Sequence, residues 1–490
     1  MDYMNLKSGT DVRGIASDLG GKAVELTDTA VYDIVAAFAV WCVDKLSKPS
    51  SELKIAVGHD SRITADKISE KVKSALTNAG VTVLDCDLAS TPAMFMTTVD
   101  LHTDAAIQIT ASHHPFDRNG LKFFIASGGL EGSDISEILT LASQAQECIS
   151  ETKGNIEKCD YMKDYAARLR DMIIREVGKG EKPLKNYHIV VDAGNGVGGF
   201  YANEVLAPLG ADISGSQFLE PDGMFPNHIP NPENKQAIDS ICEAVKNRNA
   251  DFGVIFDTDV DRAGCVDGDG NEINRNRLIA IASYIALGGK KGGTIVTDSV
   301  TSDGLKKYIN EDLGGVHYRY RRGYKNVINK AIELCEQGID CPLAIETSGH
   351  AALRENYFLD DGAYLATKII IELAKGTDIK ALLSAMEMPV EEEEHRFNIK
   401  VDYFKVYGQR VIDELEEFAK QRDGYIIADD NREGIRVSTP KGWFLLRLSV
   451  HDPVMPMNFE SNEVGGIKIM KQELKAFFES FDALEIPEEF

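Results

Sequence analysis

Short apolar segments rich in β-branched residues alternate with longer helical patterns through most of this chain. The strand candidates are 54–60, 81–87, 105–110, 187–192, 252–257 and 293–298, and a helical pattern occupies 64–79. This alternation predicts α/β units with largely parallel sheets. Each of the last three strand candidates ends in aspartate. The carboxyl ends of such strands are where α/β sheets place ligands.

The chain has 490 residues, which is too long for one hydrophobic core, and about three or more domains are expected. After Pro389 comes the acidic block 390–395, which is a plausible junction or a solvated surface run. Beyond it the pattern becomes strand-rich with one helix near 405–421. This change predicts a separate C-terminal α+β module.

The net charge of −25 disfavours nucleic acid and anionic membranes as partners. No segment approaches the ~20 apolar residues of a membrane span, and no signal peptide is visible at the N-terminus. The eight scattered cysteines form no CxxC pair and are interpreted as reduced thiols. A cytoplasmic location is therefore expected. A phosphate ligand would require locally concentrated cations, metal or backbone amides.

One motif that could carry chemistry is Thr110-Ala-Ser112-His113-His114-Pro115, at the end of a strand candidate. Serine is a weak nucleophile at neutral pH and needs a basic or cationic neighbour. A polar loop in which serine and histidine bond the backbone is the usual explanation of an isolated Ser-His pair. The motif alone therefore leaves both interpretations open.

Three aspartates, Asp257, Asp259 and Asp261, follow the strand candidate at 252–257. Carboxylates at alternate positions can converge on a hard cation such as Mg²⁺. An EF-hand does not fit, because Arg262 stands where the loop requires glycine and Gly268 stands where it requires glutamate. A solvated acidic turn is the remaining alternative, and metal binding is favoured.

Two further segments are weaker by themselves. The first is Glu346-Thr-Ser348-Gly-His350, which a turn with a helix cap would also explain. The second is Arg447-Leu-Ser449-Val-His451-Asp-Pro, after an apolar run. Guanidinium binds phosphate or carboxylate in bidentate fashion, although an ordinary surface loop explains this segment equally well.

Taken in order, these segments resemble the α-D-phosphohexomutase family, which includes phosphoglucomutase and phosphomannomutase. The resemblance runs from about residue 8 to residue 461. Further segments that carry it are Gly9-Thr-Asp-Val-Arg13-Gly, Val57-Gly-His-Asp-Ser-Arg62, Asp192-Ala-Gly-Asn-Gly and Pro221-Asp-Gly-Met-Phe-Pro.

The resemblance implies an α/β fold of four domains around a central cleft, three related units and a smaller C-terminal α+β domain. The implied boundaries are 1–155 for the phosphoserine loop, 156–275 for the metal, 276–389 for sugar recognition and 390–490 for phosphate binding. Ser112 would be the phosphoserine and, with Asp257, Asp259 and Asp261, a Mg²⁺ ligand. The other implied catalytic residues are Arg13, His113, Lys122, Arg262 and His350. The implied substrate contacts are Lys325, Glu346, Ser348, Arg447, Ser449 and His451.

Three departures from the family pattern concern the site. His114 replaces the usual asparagine after Ser-His, and Ile345 replaces the usual glycine before Glu346. The phosphate loop R-x-S-G-T-E-P reads R-L-S-V-H-D-P, and Pro456 takes the place of a later arginine. The C-terminal phosphate loop therefore has one cation fewer than the family pattern.

The implied reaction interconverts hexose 1-phosphate and hexose 6-phosphate through phosphoserine and a hexose 1,6-bisphosphate, which also primes it. Glucose or mannose is the expected sugar, and phosphoglucosamine mutase remains an alternative. A serine-dependent sugar phosphatase and a non-catalytic sugar-phosphate sensor are the rivals. The chain is expected to be a monomer or a homodimer.

Overall fold

The computed structural model describes residues 2–144, 150–449 and 452–490. The chain divides into two compact units. The first unit is Met1–Asn274 with Ser348–Ala352 and Leu359–Ile379. The second unit is Arg275–Thr347 with Leu353–Phe358 and Lys380–Phe490.

The first unit opens with an eight-stranded mixed sheet in the order β1-β2-β6-β5-β3-β4-β8, with β7 paired to β6. Its strands are β1 (Lys7–Ser8), β2 (Asp11–Ile15), β3 (Lys54–His59), β4 (Thr82–Leu88), β5 (Ala105–Ile109), β6 (Arg118–Ile125), β7 (Gly128–Gly129) and β8 (Ile156–Lys158). Its helices are α1 (Asp28–Leu46), α2 (Ala65–Asn78), α3 (Thr91–Asp100) and α4 (Gly132–Ser143). Helix α1 buries 10 of its 19 residues, and Thr27 caps it by accepting a hydrogen bond from Ala30 N.

A second, four-stranded sheet in the same unit has the order β12-β11-β10-β9. Its elements are α5 (Tyr161–Val177), β9 (Ile189–Asp192), α6 (Lys235–Arg248), β10 (Phe252–Phe256), β11 (Ala263–Asp267) and β12 (Glu272–Ile273). β9 and β10 are parallel, and β10 pairs antiparallel with β11. All five residues of β10 are buried, so the loop that follows this strand begins in the protein interior.

The next part of the chain supplies elements to both units. They are α7 (Arg275–Leu287), β13 (Thr294–Thr297), α8 (Asp303–Lys307), β14 (Val316–Arg319), α9 (Tyr324–Glu336), β15 (Leu343–Ile345), β16 (Ala351–Leu353), β17 (Leu359–Asp360), α10 (Gly362–Lys375) and α11 (Ile379–Ser384). In the second unit, β13 runs parallel to both β14 and β15. In the first unit, α10 packs against α5 and β11.

The C-terminal module of the second unit is an antiparallel sheet in the order β19-β20-β21-β22-β18-β23. Its elements are β18 (Glu391–Ile399), α12 (Phe404–Lys420), β19 (Ile426–Ile427), β20 (Ile435–Thr439), β21 (Gly442–Leu446), β22 (Val454–Ser461), α13 (Gly466–Glu479) and β23 (Leu484–Glu485). Residues of both helices join one apolar core with this sheet. Short 3-10 or π turns occupy Met4–Leu6, Asp18–Gly20, Ser50–Glu52, Tyr201–Leu206, Tyr308–Asp312 and Arg354–Asn356.

The α/β class with a further C-terminal sheet module is confirmed, but two details were wrong. The sheets of the first unit are mixed rather than largely parallel, because β5–β6 and β10–β11 are antiparallel pairs joined by short loops. The C-terminal module has two long helices, and α13 was missed although its apolar residues recur at helical spacing. Among the described helices, none is long and apolar enough to span a bilayer.

Candidate active site

The Ser112 loop is the turn of an antiparallel strand pair, since it joins β5 to β6. Ser112 is buried and has a φ of 51°, in the left-handed region that most side chains avoid. Its amide donates to Thr110 Oγ1 over 2.8 Å, which stabilises this sharp bend. A strained residue at a strand end is a common feature of functional sites.

Arg62 stabilises the Ser112 loop through hydrogen bonds to its backbone carbonyls. Its guanidinium donates to the carbonyl oxygens of Ser112 and His114, and to those of Pro115 and Arg118 over 2.7 and 2.8 Å. The guanidinium is buried; four backbone carbonyls accept its hydrogen bonds, and Asp60 Oδ2, 3.3 Å from Nε, supplies the opposite charge. We did not predict this role from the sequence, although Arg62 lies in a segment that carries the family resemblance.

The Asp257–Asp261 loop is the turn between β10 and β11. One carboxylate oxygen from each of Asp257, Asp259 and Asp261 lies within 4.8 Å of the others, and all three residues are buried. Val260 has a φ of 66°, which bends the loop so that residues on both sides of it face one point. The alternate spacing therefore produces a convergent cluster.

The cluster offers two unused carboxylate oxygens. Asp259 Oδ1 and Asp261 Oδ1 are buried and accept no hydrogen bond from any described residue. Buried oxygens in this state are costly unless a cation binds them. Hard cations such as Mg²⁺ prefer oxygen ligands, so the donor set fits that metal.

Ser112 meets this cluster directly. Its Oγ donates to Asp257 Oδ2 over 3.0 Å and accepts from Arg262 Nη2 over 3.1 Å. Lys122 Nζ lies 3.0 Å from Asp259 Oδ2 and 2.5 Å from Asp261 Oδ2. The structure thus brings together six residues that were predicted to act at one site, one from the Ser112 loop, one from β6 and four from the loop between β10 and β11.

The pKa values of Asp257 and Asp261 shift in opposite directions. Burial and the neighbouring Asp261 and Asp259 raise the pKa of Asp257 well above its usual value. Burial also opposes ionisation of Asp261, but the charges of Lys122 and His350 outweigh it and lower the pKa of that carboxyl. A bound divalent cation would favour the ionised form of every carboxylate that contacts it.

His113 lies beside Ser112 with its Nδ1 3.3 Å from the serine oxygen, and it also contacts Arg262. Burial and then the Arg262 charge lower the pKa of His113 to about 2. The imidazole is therefore neutral near pH 7. Arg13 donates to Asp11 Oδ2 over 2.7 Å, and its charge contributes to the lowered pKa of His113.

The pKa of His350, unlike that of His113, is raised. Burial lowers its pKa, but Asp360 and then Asp261 outweigh burial and raise that pKa to about 9. Its Nδ1 contacts Asp360 Oδ2, while Ala351 N donates to the other Asp360 oxygen over 3.0 Å. Asp360 was missed from the sequence, although it too is an acidic residue at the end of a strand.

The predicted sugar contacts lie in different elements. Glu346 Oε1 accepts from Gly323 N over 2.5 Å, which links the end of β15 to the N-terminus of α9, whose first turn carries Lys325. Both of these residues belong to the second unit, whereas Ser348 belongs to the first.

The predicted phosphate clamp follows β21. Arg447 is buried, its Nε has no hydrogen-bond partner among the described residues, and its Nη1 lies 3.8 Å from Glu433 Oε1. Ser449 Oγ accepts from Asp452 N over 3.2 Å. His451 lies outside the described residues.

The fold and this site define a class of α/β protein in which a buried serine faces an acidic, metal-binding cluster flanked by lysine and arginine. A hydroxyl oxygen, a hard-cation site and fixed positive charges are the components that phosphoryl transfer requires. Comparison with known proteins identifies the family within this class.

Family models for the three α/β/α domains of phosphoglucomutase/phosphomannomutase match residues 7–147, 163–270 and 274–388. The phosphoglucomutase of Neisseria gonorrhoeae is 30% identical over 474 residues, which cover 96% of each chain. The phosphomannomutase/phosphoglucomutase of Pseudomonas aeruginosa is 29% identical over 472 residues, 95% of this chain and 94% of that one.

A crystal structure of a phosphoglucomutase/phosphomannomutase family protein from Burkholderia thailandensis superimposes with a TM-score of 0.81. It is 26% identical and covers 99% of this chain and 100% of its own. The chain belongs to the phosphoglucomutase/phosphomannomutase family.

Proposed function

We propose that this protein is a phosphohexomutase that interconverts the 1- and 6-phosphates of glucose, mannose or both. The observation that carries the proposal is the contact of Ser112 Oγ with Asp257 and Arg262, beside two buried carboxylate oxygens without a hydrogen-bond donor among the described residues. The enzymes of N. gonorrhoeae and P. aeruginosa carry the names phosphoglucomutase and phosphomannomutase/phosphoglucomutase, which supports these sugars.

Phosphoserine 112 is the proposed phosphoryl carrier. Its phosphoryl group passes to the hydroxyl of a hexose monophosphate, the serine O–P bond breaks, and a hexose 1,6-bisphosphate forms. The hydroxyl proton passes to a nearby base. The bisphosphate then returns its other phosphoryl group to Ser112, so no water is consumed and phosphate is conserved.

The residues around Ser112 have complementary proposed roles. Ser112, Asp257, Asp259 and Asp261 would hold Mg²⁺, which would supply positive charge to the transferring oxygens. Arg262 already donates to the serine oxygen and is placed to stabilise its negative charge. Lys122, His350, Arg13 and His113 complete the proposed catalytic set.

His350 and His113 differ in the proton each can supply. With its pKa raised to about 9, His350 is protonated near pH 7 and can donate a proton or a charged hydrogen bond. His113, with its pKa lowered to about 2, can act only as a neutral hydrogen-bond partner.

Substrate recognition is assigned to residues later in the chain. Lys325, Glu346 and Ser348 are the proposed sugar contacts, and Arg447, Ser449 and His451 the proposed clamp for the non-reacting phosphate. The buried guanidinium of Arg447 supports this assignment, because its Nε has no hydrogen-bond partner among the described residues and the carboxylate of Glu433, 3.8 Å from Nη1, is too far away for a hydrogen bond. We assign the four domains to 1–155, 156–275, 276–389 and 390–490.

A coupled assay tests this proposal with glucose, mannose and glucosamine phosphates and with hexose 1,6-bisphosphate as primer. We expect conversion of glucose 1-phosphate or mannose 1-phosphate to the 6-phosphate without release of inorganic phosphate. Stoichiometric release of inorganic phosphate would instead identify a phosphatase.

Two further properties remain predictions. Light scattering would test whether the protein is a monomer or a homodimer, and cell fractionation would test a cytoplasmic location.

A further inference from the structure

Glu433 places its carboxylate between two separate parts of the second unit. It lies in the loop between β19 and β20, and its side chain is only 16% exposed. Oε2 accepts from Ser299 Oγ and, over 3.1 Å, from the amide of Arg322. Oε1 lies 3.8 Å from Nη1 of Arg447. One oxygen is therefore fixed by two donors, while the other faces the proposed phosphate clamp.

The backbone fixes this position. Gly434 has a φ of 60°, and a Cβ added there would lie 2.0 Å from the carbonyl oxygen of Leu446 and 3.0 Å from Cα of Arg447. Only glycine allows this close approach of the loop to the end of β21. The residue before it, Glu433, is thereby held against Arg447.

The other side of the loop is anchored to β14. The Arg432 guanidinium lies 4.0 Å from the ring centroid of Tyr318 and donates to Arg319 O over 3.2 Å. The cation–π contact and the hydrogen bond together restrain the loop that carries Glu433. The position of Glu433 therefore depends on contact between the C-terminal sheet module and β14.

Arg447 has an unusual environment for a buried guanidinium. It is 7% exposed, and its Nε has no hydrogen-bond partner among the described residues. Glu433 is its one carboxylate neighbour within 4 Å in the described part of the chain. At 3.8 Å the pair is too long for a hydrogen bond, so Glu433 attracts the guanidinium without saturating its donors.

The charges agree with this geometry. Burial lowers the pKa of Arg447, and Glu433 is the largest opposing influence. Arg322 is a like charge that also lowers this pKa. Glu433 is thus the group that most favours the charged form of Arg447 in its buried place.

We propose that Glu433 is a positioning residue for the substrate's non-reacting phosphate: it orients the Arg447 guanidinium from the Nη1 side without using its N–H donors, which stay available to a phosphate oxygen. Ser299, which follows β13, sets the orientation of Glu433 in turn. Ser299 lies outside the C-terminal module, so a residue of the preceding domain helps to orient the phosphate clamp of that module. This inference rests on the proposed function, because it takes Arg447 as the phosphate-binding residue.

The alternative is that the Glu433 carboxylate competes with phosphate for Arg447. A competing side chain would have to move away when the phosphate binds, and the two hydrogen bonds to Glu433 Oε2 oppose that movement. The two roles also predict opposite signs. Loss of the Glu433 charge weakens substrate binding if the residue positions Arg447 and strengthens it if the residue competes.

The experiment compares the full-length wild type with Glu433→Gln, Ser299→Ala, Arg447→Ala and the double variant Glu433→Gln/Arg447→Ala. KM and kcat are measured for the preferred hexose 1-phosphate at saturating primer and Mg²⁺. Glu463→Gln removes an exposed glutamate beyond β22 and serves as the matched charge control. Thermal unfolding of each variant checks that the second unit remains folded.

We expect Glu433→Gln to raise KM roughly tenfold, which corresponds to about 1.4 kcal/mol, with kcat little changed. Ser299→Ala should raise KM in the same direction by a smaller factor, and it decides the question if Glu433→Gln does not fold. In the Arg447→Ala background, Glu433→Gln should have no further effect, whereas a merely structural role would leave its effect intact.

Three results would overturn the inference: an unchanged KM in Glu433→Gln, a lowered KM, or an effect that persists without Arg447. Failure of the proposed clamp itself is distinguishable. In that case Arg447→Ala would leave KM unchanged, whatever Glu433→Gln does.

Discussion

Replacing Glu460 by glutamine isolates the cost of burying one carboxylate in the C-terminal sheet. Glu460 is 6% exposed and lies on β22, opposite Trp443 of β21 and Glu392 of β18. Arg436 stacks over Trp443 with its guanidinium carbon 3.4 Å from the ring centroid. Burial outweighs the attraction of Arg436 and raises the pKa of Glu460 to about 7. Glutamine keeps the size of the side chain and removes its titration.

The sign follows from proton binding. Between the unfolded pKa of 4.5 and the folded pKa of about 7, the folded state binds a proton that the unfolded state releases. Stability from this group is therefore fully present below pH 4.5 and is lost as pH rises through 7. The shift corresponds to a loss of about 3 kcal/mol, since one pKa unit is about 1.4 kcal/mol. Glu460→Gln should resemble the wild type near pH 4.5 and exceed its stability at pH 8.

Differential scanning calorimetry at pH 5, 6, 7 and 8 tests this expectation. The second unit should melt roughly 5–10 °C higher in Glu460→Gln than in the wild type at pH 8, with a smaller difference at pH 5. Exposed Glu479 at the end of α13 provides the control substitution Glu479→Gln. A difference between Glu460→Gln and the wild type that stays constant or shrinks as pH rises would refute the reasoning.

Three further predictions concern activity. Ser112→Ala is expected to abolish mutase turnover and to remove a phosphoserine seen by peptide mass mapping of the active protein; a fully active alanine variant would contradict the mechanism. Chelation of divalent cations should stop turnover and added Mg²⁺ restore it, because the oxygen ligands of Asp257, Asp259 and Asp261 suit that ion; activity in rigorously metal-free protein would argue against this site. Arg447→Ala should weaken substrate binding by about 1.5–3 kcal/mol, seen as a raised KM, and Arg447→Lys should recover only part of it because a point charge lacks the guanidinium fork; an unchanged KM would place the clamp elsewhere.

Local patterns predicted most of the elements that position the site. The strands β3, β5 and β10 and the helices α2 and α12 occur close to where the sequence indicated them. Periodicity is a local property, and these segments carry strong apolar patterns. The direction of strand pairing was predicted less well, since a short loop between two strands can close a hairpin that the α/β rhythm does not reveal.

The sequence by itself determined the chemistry of the two loops, because serine, histidine and alternate aspartates at strand ends restrict what those loops can do. Only the tertiary structure decided which distant groups act on them. Arg62 contacts Ser112, Asp360 contacts His350 and Glu433 lies beside Arg447, across separations of 10 to 50 residues of chain. Such contacts depend on how sheets and loops pack in three dimensions, and the spacing of residues along one strand or helix does not encode them.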